Sequence, residues 1–334
     1  MAHDWLLVET LGEQPVVAAQ GHQLKNLVPV SVFLRRNPHL DALTAAVAET
    51  ALSAAPLRRP VPNCERVIRA EPVVMSDGRV HGVHVWLGPA DAEPPPRAIP
   101  GPLVWNLTTG VATGTVESLT NSGLNPETER TDGRTFAQDL PTRDMQSNET
   151  QVLSLAVQNR PGTTICDLWD VTDHSGEPIT VGFVARSRIE TAADGTAHLI
   201  ARAMNWRSHR ETPAVAPDHL AQRILDGLAR PGSYRALVDI NTWTLLKWLD
   251  QPCPLYDWRD RAGAPWVHPD DLTLIEAMTT ELGSGVTERV LRLPGRHTDW
   301  VSMHVTVHRV ELQPGAFAGL ITLREPTGTE LDHR

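Results

Sequence analysis

Two clusters of proline set the limits on what this chain can fold into. Residues 92–97 run Ala-Glu-Pro-Pro-Pro-Arg, and Pro100-Gly101-Pro102 follow closely. A proline ring clamps φ and removes the backbone donor, so neither a helix nor a central strand continues through such a run. A second cluster over residues 212–217, with Pro213 and Pro217, interrupts the chain again. The cuts leave segments 1–98, 99–213 and 214–334 of a 334-residue chain. Each is long enough to bury a core of its own, and their similar lengths predict three related modules.

Within the first segment, residues 5–8 and 16–19 predict a strand pair. Asn37 and Pro38 suit the start of a helix whose stripe is Leu40, Leu43, Val47 and Thr50/Ala51. Residues 67–70, 73–75 and 80–87 predict strands, the last two joined through the turn Ser76-Asp77-Gly78-Arg79. The second segment opens with a strand at residues 103–107. A polar, loosely ordered stretch is expected over residues 118–139, then a helix over 149–157 and strands over 165–171, 179–189 and 198–204. The third segment predicts a helix over 218–228, strands over 234–240 and 243–249, and a helix opened by His268-Pro269-Asp270-Asp271. Strands over 288–293, 300–312 and 316–324 complete it. In the strand 300–312 the apolar phase passes from Val301, Met303, Val305 and Val307 to Val310 and Leu312. That switch predicts a β-bulge or bend near His308 and Arg309. Strands are segregated from helices throughout, so the expected fold class is α+β: three tandem domains, each an antiparallel sheet with helices on one side.

This order resembles PAS and GAF sensor domains, in which a short β-pair leads into helices that cover an antiparallel sheet closed by a β-meander. The third segment is the best match, through its strand pair and the His268-Pro269-Asp270-Asp271 helix start. The second resembles PAS from Val104-Trp105-Asn106-Leu107-Thr108-Thr109-Gly110 to the turn at Asp173–Gly176, and the first is similar to either type. As a whole the chain resembles actinobacterial three-domain sensor proteins without an effector domain. The resemblance implies signal integration or scaffolding through a protein partner or a small-molecule ligand, and it brings no catalytic residues. Neither the haem-ligand nor the flavin-adduct cysteine motif is evident, so no cofactor is expected.

Composition narrows the partners. The net charge is −10, which repels nucleic acid and anionic lipid. No apolar run approaches the roughly 18 residues of a membrane span, and the N-terminus lacks the basic and apolar regions of a signal peptide. A cytoplasmic protein binding neither nucleic acid nor membrane is expected. Only Lys25 and Lys247 are lysines among the basic residues, which resembles the codon bias of a GC-rich genome.

Candidate chemistry is sparse. Cys64, Cys166 and Cys253 are too scattered for a disulfide framework or a zinc site. Cys166 suits a buried strand position, and Cys253, in a loop between Pro252 and Pro254, is the cysteine expected to be the most reactive of the three, against the alternative that it is buried or inert. His304 and His308 on one strand face are about 13 Å apart, too far to share a metal. His81 and His84, three apart, are expected on opposite faces. His268, Asp270 and Asp271 suit a helix start, where carboxylates complement the dipole. No nucleotide-binding, hydrolase, metalloprotease, cyclase or kinase motif occurs. Ten tryptophans stand against four phenylalanines, and Trp243, Trp248, Trp258 and Trp266 concentrate in the third segment. Indoles suit either core and interdomain packing or an interaction surface there. The expected function is a non-enzymatic sensor or scaffold. The rivals are an enzyme with an unrecognised His/Asp site, favoured by converging groups of perturbed pKa, and a structural adaptor with filled pockets.

Overall fold

The computed structural model describes residues 4–140, 149–158, 160–209, 223, 226–259 and 265–332. The chain forms three domains, each built on one antiparallel sheet. The N-terminal domain carries β1 (Leu6–Glu9), β2 (Val16–Gln20), β3 (Gln23–Pro29), β4 (Leu57–Pro60), β5 (Arg66–Val74) and β6 (Val80–Pro89) in the order β3-β2-β1-β6-β5-β4. Its helices are α1 (Val30–Phe33) and α2 (Leu40–Ser53). The middle domain holds β7 (Gly101–Asn106), β8 (Val111–Thr113), β9 (Arg134–Thr135), β10 (Thr164–Thr172), β11 (Pro178–Thr191) and β12 (Ala197–Ser208), ordered β10-β11-β12-β7-β8-β9. Its helices are α3 (Val116–Asn121) and α4 (Glu149–Gln158). The C-terminal domain has β13 (Ser233–Val238), β14 (Leu245–Trp248), β15 (Val286–Pro294), β16 (Trp300–Gln313) and β17 (Ala316–Arg324), ordered β14-β13-β17-β16-β15. Helices α5 (Leu272–Glu281) and α6 (Gly328–Asp332) complete it. In every sheet the domain's first strand lies beside its last: β1 with β6, β7 with β12, β13 with β17.

The local expectations differ from the structure where polar residues or a second covered face intervene. Residues 67–75 are expected as two strands but form the single strand β5, and the polar strands β3 and β4 carry no apolar signal strong enough to announce them. Asn37 does not cap α2; its Oδ1 accepts the His39 N–H in a turn that precedes the helix. Trp243 is not in a strand. It sits at φ +58 in the turn between β13 and β14. The expected helix over 218–228 lies largely outside the described residues, as does the second proline cluster.

The predicted bulge near His308 is absent. Register between β16 and β17 is regular through Glu311 and shifts only between Glu311 and Gln313. The apolar phase switches because the two halves of β16 are covered on opposite faces. Met303, Val305 and Val307 pack in the domain's own core, whereas Val310 and Leu312 pack against the core of the middle domain. Leu237, Leu246, Leu249, Ala316 and Ala318 join that same middle-domain core. Helix α4 therefore lies between two sheets, and Val152 to Val157 are all buried. At its first turn Glu149 accepts from Lys247 Nζ at 2.5 Å, with side chains 1% and 2% exposed. In the third sheet α5 packs on one face with Met303, Val305 and Val307, while the other face is covered by the middle domain and, through Glu330 on Arg324 and His304, meets α6.

The N-terminal and middle domains meet sheet to sheet. Leu7, Ala18, Ala19 and Val73 pack on Val184, Met204 and Trp206. Gly82 allows this approach: a Cβ there would lie 2.5 Å from the Val8 carbonyl oxygen and 2.7 Å from Met204 Cε. Ion pairs rim the patch, with Arg186 on buried Glu9 at 3.0 Å, Arg79 on Glu190 at 2.6 Å and Arg202 on Asp77 at 2.7 Å. The proline linker is not free. Trp5 Nε1 donates to the Pro95 carbonyl at 2.9 Å, and the Arg97 guanidinium lies over the Trp5 ring.

Candidate functional site

The stretch expected to be loosely ordered builds a cavity wall. Thr115 and Ser118 form a reciprocal capping box that starts α3, and such boxes satisfy two orphan N–H groups of a helix start. At the other end Asn121 Nδ2 donates to the Ile99 and Asn205 carbonyls, and Asn205 Nδ2 donates to the Ser118 carbonyl at 2.9 Å and to Ser122 Oγ at 2.8 Å. This buried amide pair pins α3 to β12. Gly101 permits the close seat, because a Cβ there would lie 2.1 Å from the Ser118 nitrogen.

Between α3, the sheet and the segment 134–139 lies a cavity of about 40 Å³. That volume accommodates about three waters, at roughly 10–15 Å³ each on this measure. Leu103, Leu119, Val181 and Phe183 supply apolar wall; Trp105, Trp169, Arg134 and Asp139 supply the rest together with small polar groups of α3 and β12. Arg134 is 1% exposed. Its Nη2 lies 2.5 Å from Asp139 Oδ1 and donates to the Gln138 carbonyl at 3.1 Å. Trp105 Nε1 donates to the other Asp139 oxygen at 2.6 Å. Burial pushes the Asp139 carboxyl above the ordinary range, against the pull of Arg134. Both carboxylate oxygens are thus occupied, and one cation balances one anion.

Two lining residues also carry a donor that is unsatisfied, each closed off from the cavity itself. Among the described residues no acceptor reaches the buried Arg134 Nε or Trp169 Nε1. A buried unpaired donor costs about 1–3 kcal/mol. Trp86, Trp206 and Trp248 also keep unpaired indole N–H groups, but they do not line this cavity. The same wall touches the third domain. Between Arg134 and Asp139 runs a single 3-10 turn, Phe136–Gln138, and its Ala137 packs in the C-terminal core with Trp248 and Trp258.

The residues singled out from sequence go elsewhere. Trp243, Trp248 and Trp258 are at most 7% exposed inside the C-terminal core, and Trp266 stacks on Trp243 with centroids 5.6 Å apart. They form packing, not an interaction surface, because the turn placing Trp243 and the strand β14 both face inward. Cys253 is buried and burial raises its thiol pKa; Cys64 is the exposed cysteine. Cys166 is half-buried, with its thiol pushed up to about 12 by burial. His304 is buried beside Glu330 at 3.4 Å while His308 is exposed. His268, rather than the aspartates, caps the 3-10 turn Pro269–Asp271, accepting the Asp270 N–H at 3.2 Å, and Asp271 instead pairs with Arg292 at 2.7 Å.

His81 and His84 do not lie on opposite faces. The β5–β6 register shifts at His81, between the pairs Val73–Gly82 and Val74–Val80, so the two rings share the face turned away from α2. Their partners differ. His81 Nδ1 donates to the Ala203 carbonyl at 2.8 Å and its Nε2 accepts from Arg202 Nη1 at 3.2 Å. His84 Nδ1 accepts from Arg97 at 2.8 Å. Burial lowers their pKa values to about 4 and about 3. No group of His, Cys, Asp and Glu suited to a metal ion occurs among the described residues, and no helix there is long and apolar enough to cross a membrane.

Comparison with known proteins identifies the three domains in order. Residues 4–96 match the model for the Rv3651-like N-terminal domain, residues 99–208 the Rv3651-like middle domain, and residues 218–334 the Rv3651-like C-terminal domain. The crystal structure of an uncharacterized protein from Mycobacterium tuberculosis is 57% identical over 99% of this chain and 98% of that one, with a TM-score of 0.92. A sensory box histidine kinase/response regulator from Burkholderia thailandensis E264 matches at 14% identity, over 31% of this chain and 74% of that one, with a TM-score of 0.23. No curated protein matches the sequence.

Proposed function

On the premise that the chain belongs to the Rv3651-like family, as its 57% identical relative and the three successive domain matches establish, we propose that it is a non-enzymatic sensor protein whose middle domain binds a small ligand. One observation carries this reading: the middle domain keeps a cavity of about 40 Å³ whose lining residues include the ion-paired Arg134 and Asp139. The PAS- or GAF-type assignment belongs to the same proposal. Its support is topological. In the middle and C-terminal domains a strand pair precedes helices, and a three-strand meander then returns the last strand to the side of the first.

Because the domains pack directly on one another, this reading places transmission in their contacts rather than in the proline linkers. Occupancy instead acts through elements that the middle and C-terminal domains share. A ligand held by Arg134 bears on the turn Phe136–Gln138, which touches β14, and the adjoining core holds α4. Binding that favours one packing of that seam shifts the population toward it. Native mass spectrometry of the purified chain against its denatured mass tests the reading. A retained small molecule, lost from Arg134→Gln, supports it. A clean apo mass, with no stabilisation by any compound in a thermal-shift screen, favours a structural adaptor whose cavity holds water.

A further inference from the structure

We infer that the outer face of the N-terminal sheet docks proline-rich segments, that the chain's own residues 92–97 close it in cis, and that its partner in trans is a peptide of the same chemistry: a carboxylate, then prolines, then an arginine. Such a partner sits on the first domain, apart from the middle-domain cavity.

The face is built on the side of the sheet turned away from α2. On β5, Val67 and Arg69 alternate with the core residues Ile68 and Ala70, and Trp86 of β6 lies opposite Arg69. Trp5, Val67 and Trp86 form an apolar cluster separate from the domain core. Gly88 gives the Trp86 indole its room, since a Cβ there would lie 1.9 Å from the ring. The two indoles make a tilted pair with centroids 6.4 Å apart. A guanidinium lies over each, Arg69 at 5.9 Å from Trp86 and Arg97 at 5.0 Å from Trp5.

The strap is held along its whole length. Ala92 packs on the indole cluster. Glu93 accepts from both Nη atoms of Arg69, at 2.9 and 3.1 Å. Trp5 Nε1 donates to the Pro95 carbonyl at 2.9 Å, and Arg97, stacked on the same indole, donates to His84 Nδ1 at 2.8 Å. Consecutive prolines hold a segment extended with no internal hydrogen bonds, so it presents its carbonyls outward and loses little entropy on docking against aromatic rings. Charge sets the direction: the acidic end meets Arg69, and the arginine end lies in the field of Glu71. These contacts recognise the segment rather than its covalent attachment. They are also superficial, with the Glu93 side chain 84% exposed, so exchange breaks no contact of the domain core. Lifting the strap bares Trp5 and Trp86, which are 5% and 3% exposed beneath it. A second proline segment covers them again with the same hydrogen bond and stacking.

The test uses the full chain with its strap disabled by Glu93→Gln, Pro94→Gly, Pro95→Gly, Pro96→Gly and Arg97→Gln. The probe is a fluorescein-labelled peptide carrying residues 91–99 of this sequence, and anisotropy reads binding. The disabled chain is expected to bind it at least about ten-fold more tightly than the intact chain, whose tethered strap competes at an effective concentration of roughly millimolar. Adding Trp5→Phe to the disabled chain should weaken the peptide about five-fold, the equivalent of one net hydrogen bond. A peptide with alanine in place of the three prolines should bind more weakly than the parent. If near-ultraviolet circular dichroism shows that the glycine changes unfold the first domain, Glu93→Gln with Arg97→Gln keeps the prolines and frees both charged ends. That variant should also bind the peptide more tightly than the intact chain, and failure to do so overturns the inference. No binding to a folded, strap-disabled chain overturns it as well. So does equal binding to disabled and intact chains, or an alanine peptide as tight as the proline one.

Discussion

Replacing Lys247 with methionine tests the seam between the middle and C-terminal domains. The ammonium and the Glu149 carboxylate are 2.5 Å apart and almost fully buried, so neither ion is hydrated in the folded chain. Methionine keeps the apolar stem and removes the Lys247 charge from beside Glu149 in a closed interface. Breaking such a pair from one side costs about 3–5 kcal/mol, whereas replacing both partners by apolar residues is often neutral or stabilising. The double variant Glu149→Leu/Lys247→Met should therefore recover most of the loss, short of about 0.3–1 kcal/mol for an acidic residue removed from a helix first turn. Urea unfolding followed by tryptophan emission reads the effect, because the middle-domain and C-terminal cores contain tryptophans on both sides of the seam. The transition must be checked for a single step before a free energy is drawn from it, since multidomain chains often unfold in stages. A Lys247→Met cost below about 1 kcal/mol would refute the argument, because a solvated surface pair is worth no more than that. So would a double variant as unstable as the single one.

Three further outcomes follow from the packing. Folded His81 titrates at about 4, below the unfolded value of about 6.5, so the unfolded chain binds the extra proton between these values and stability falls as pH drops through that window; the loss should approach about 3 kcal/mol for His81, be largest in urea midpoints compared between pH 7.5 and 4.5, and shrink in His81→Gln. Gly82→Ala should lower the melting temperature, at a cost of about 1–3 kcal/mol for overpacking, and Met204→Ala should rescue only part of it because the Val8 carbonyl oxygen also obstructs the new Cβ; full rescue would show that the backbone contact is not limiting. Leu153→Ala in α4, where the side chain is 2% exposed, should cost about 2–5 kcal/mol and destabilise middle and C-terminal domains together in hydrogen exchange, and protection lost in one domain alone would contradict the shared core.

What could be read from sequence was whatever apolar spacing records. The stripe of α2 and the meander of the third segment carry such spacing, the hairpin at Asp77 and Gly78 was announced by its turn residues instead, and the polar strands β3 and β4 by neither. The site was not legible for the same reason. Arg134 and Asp139 are buried because they neutralise each other, and α3 is held by the Asn121–Asn205 amide pair, so a polar run that looks like loop folds as core wall. Charged residues that satisfy one another across distant positions leave no local signal. Lys247 shows the same limit: nothing at its position distinguishes a solvated lysine from one closed between two domains. The tryptophan concentration was a true signal of a large core, and spacing alone did not say on which side of the surface it lay.

The two domain seams differ in kind, and that difference assigns them different roles. Between the middle and C-terminal domains an entire helix is enclosed, and residues of both domains belong to one apolar cluster. Between the N-terminal and middle domains the apolar patch is small and is ringed by Glu9–Arg186, Arg79–Glu190 and Arg202–Asp77, with neutral His81 bonded to Arg202 and the Ala203 carbonyl. Interfaces that are polar at the rim and modest in apolar area are the ones at which domains move. Protonating His81 would remove its acceptor for Arg202 and set two cations side by side, so acid acts on this seam. The cavity, by contrast, leans on the C-terminal domain through Ala137. On the proposed sensor reading, a ligand signal entering at Arg134 would pass toward the third domain through a continuous core, whereas acid would act on the docking of the N-terminal domain.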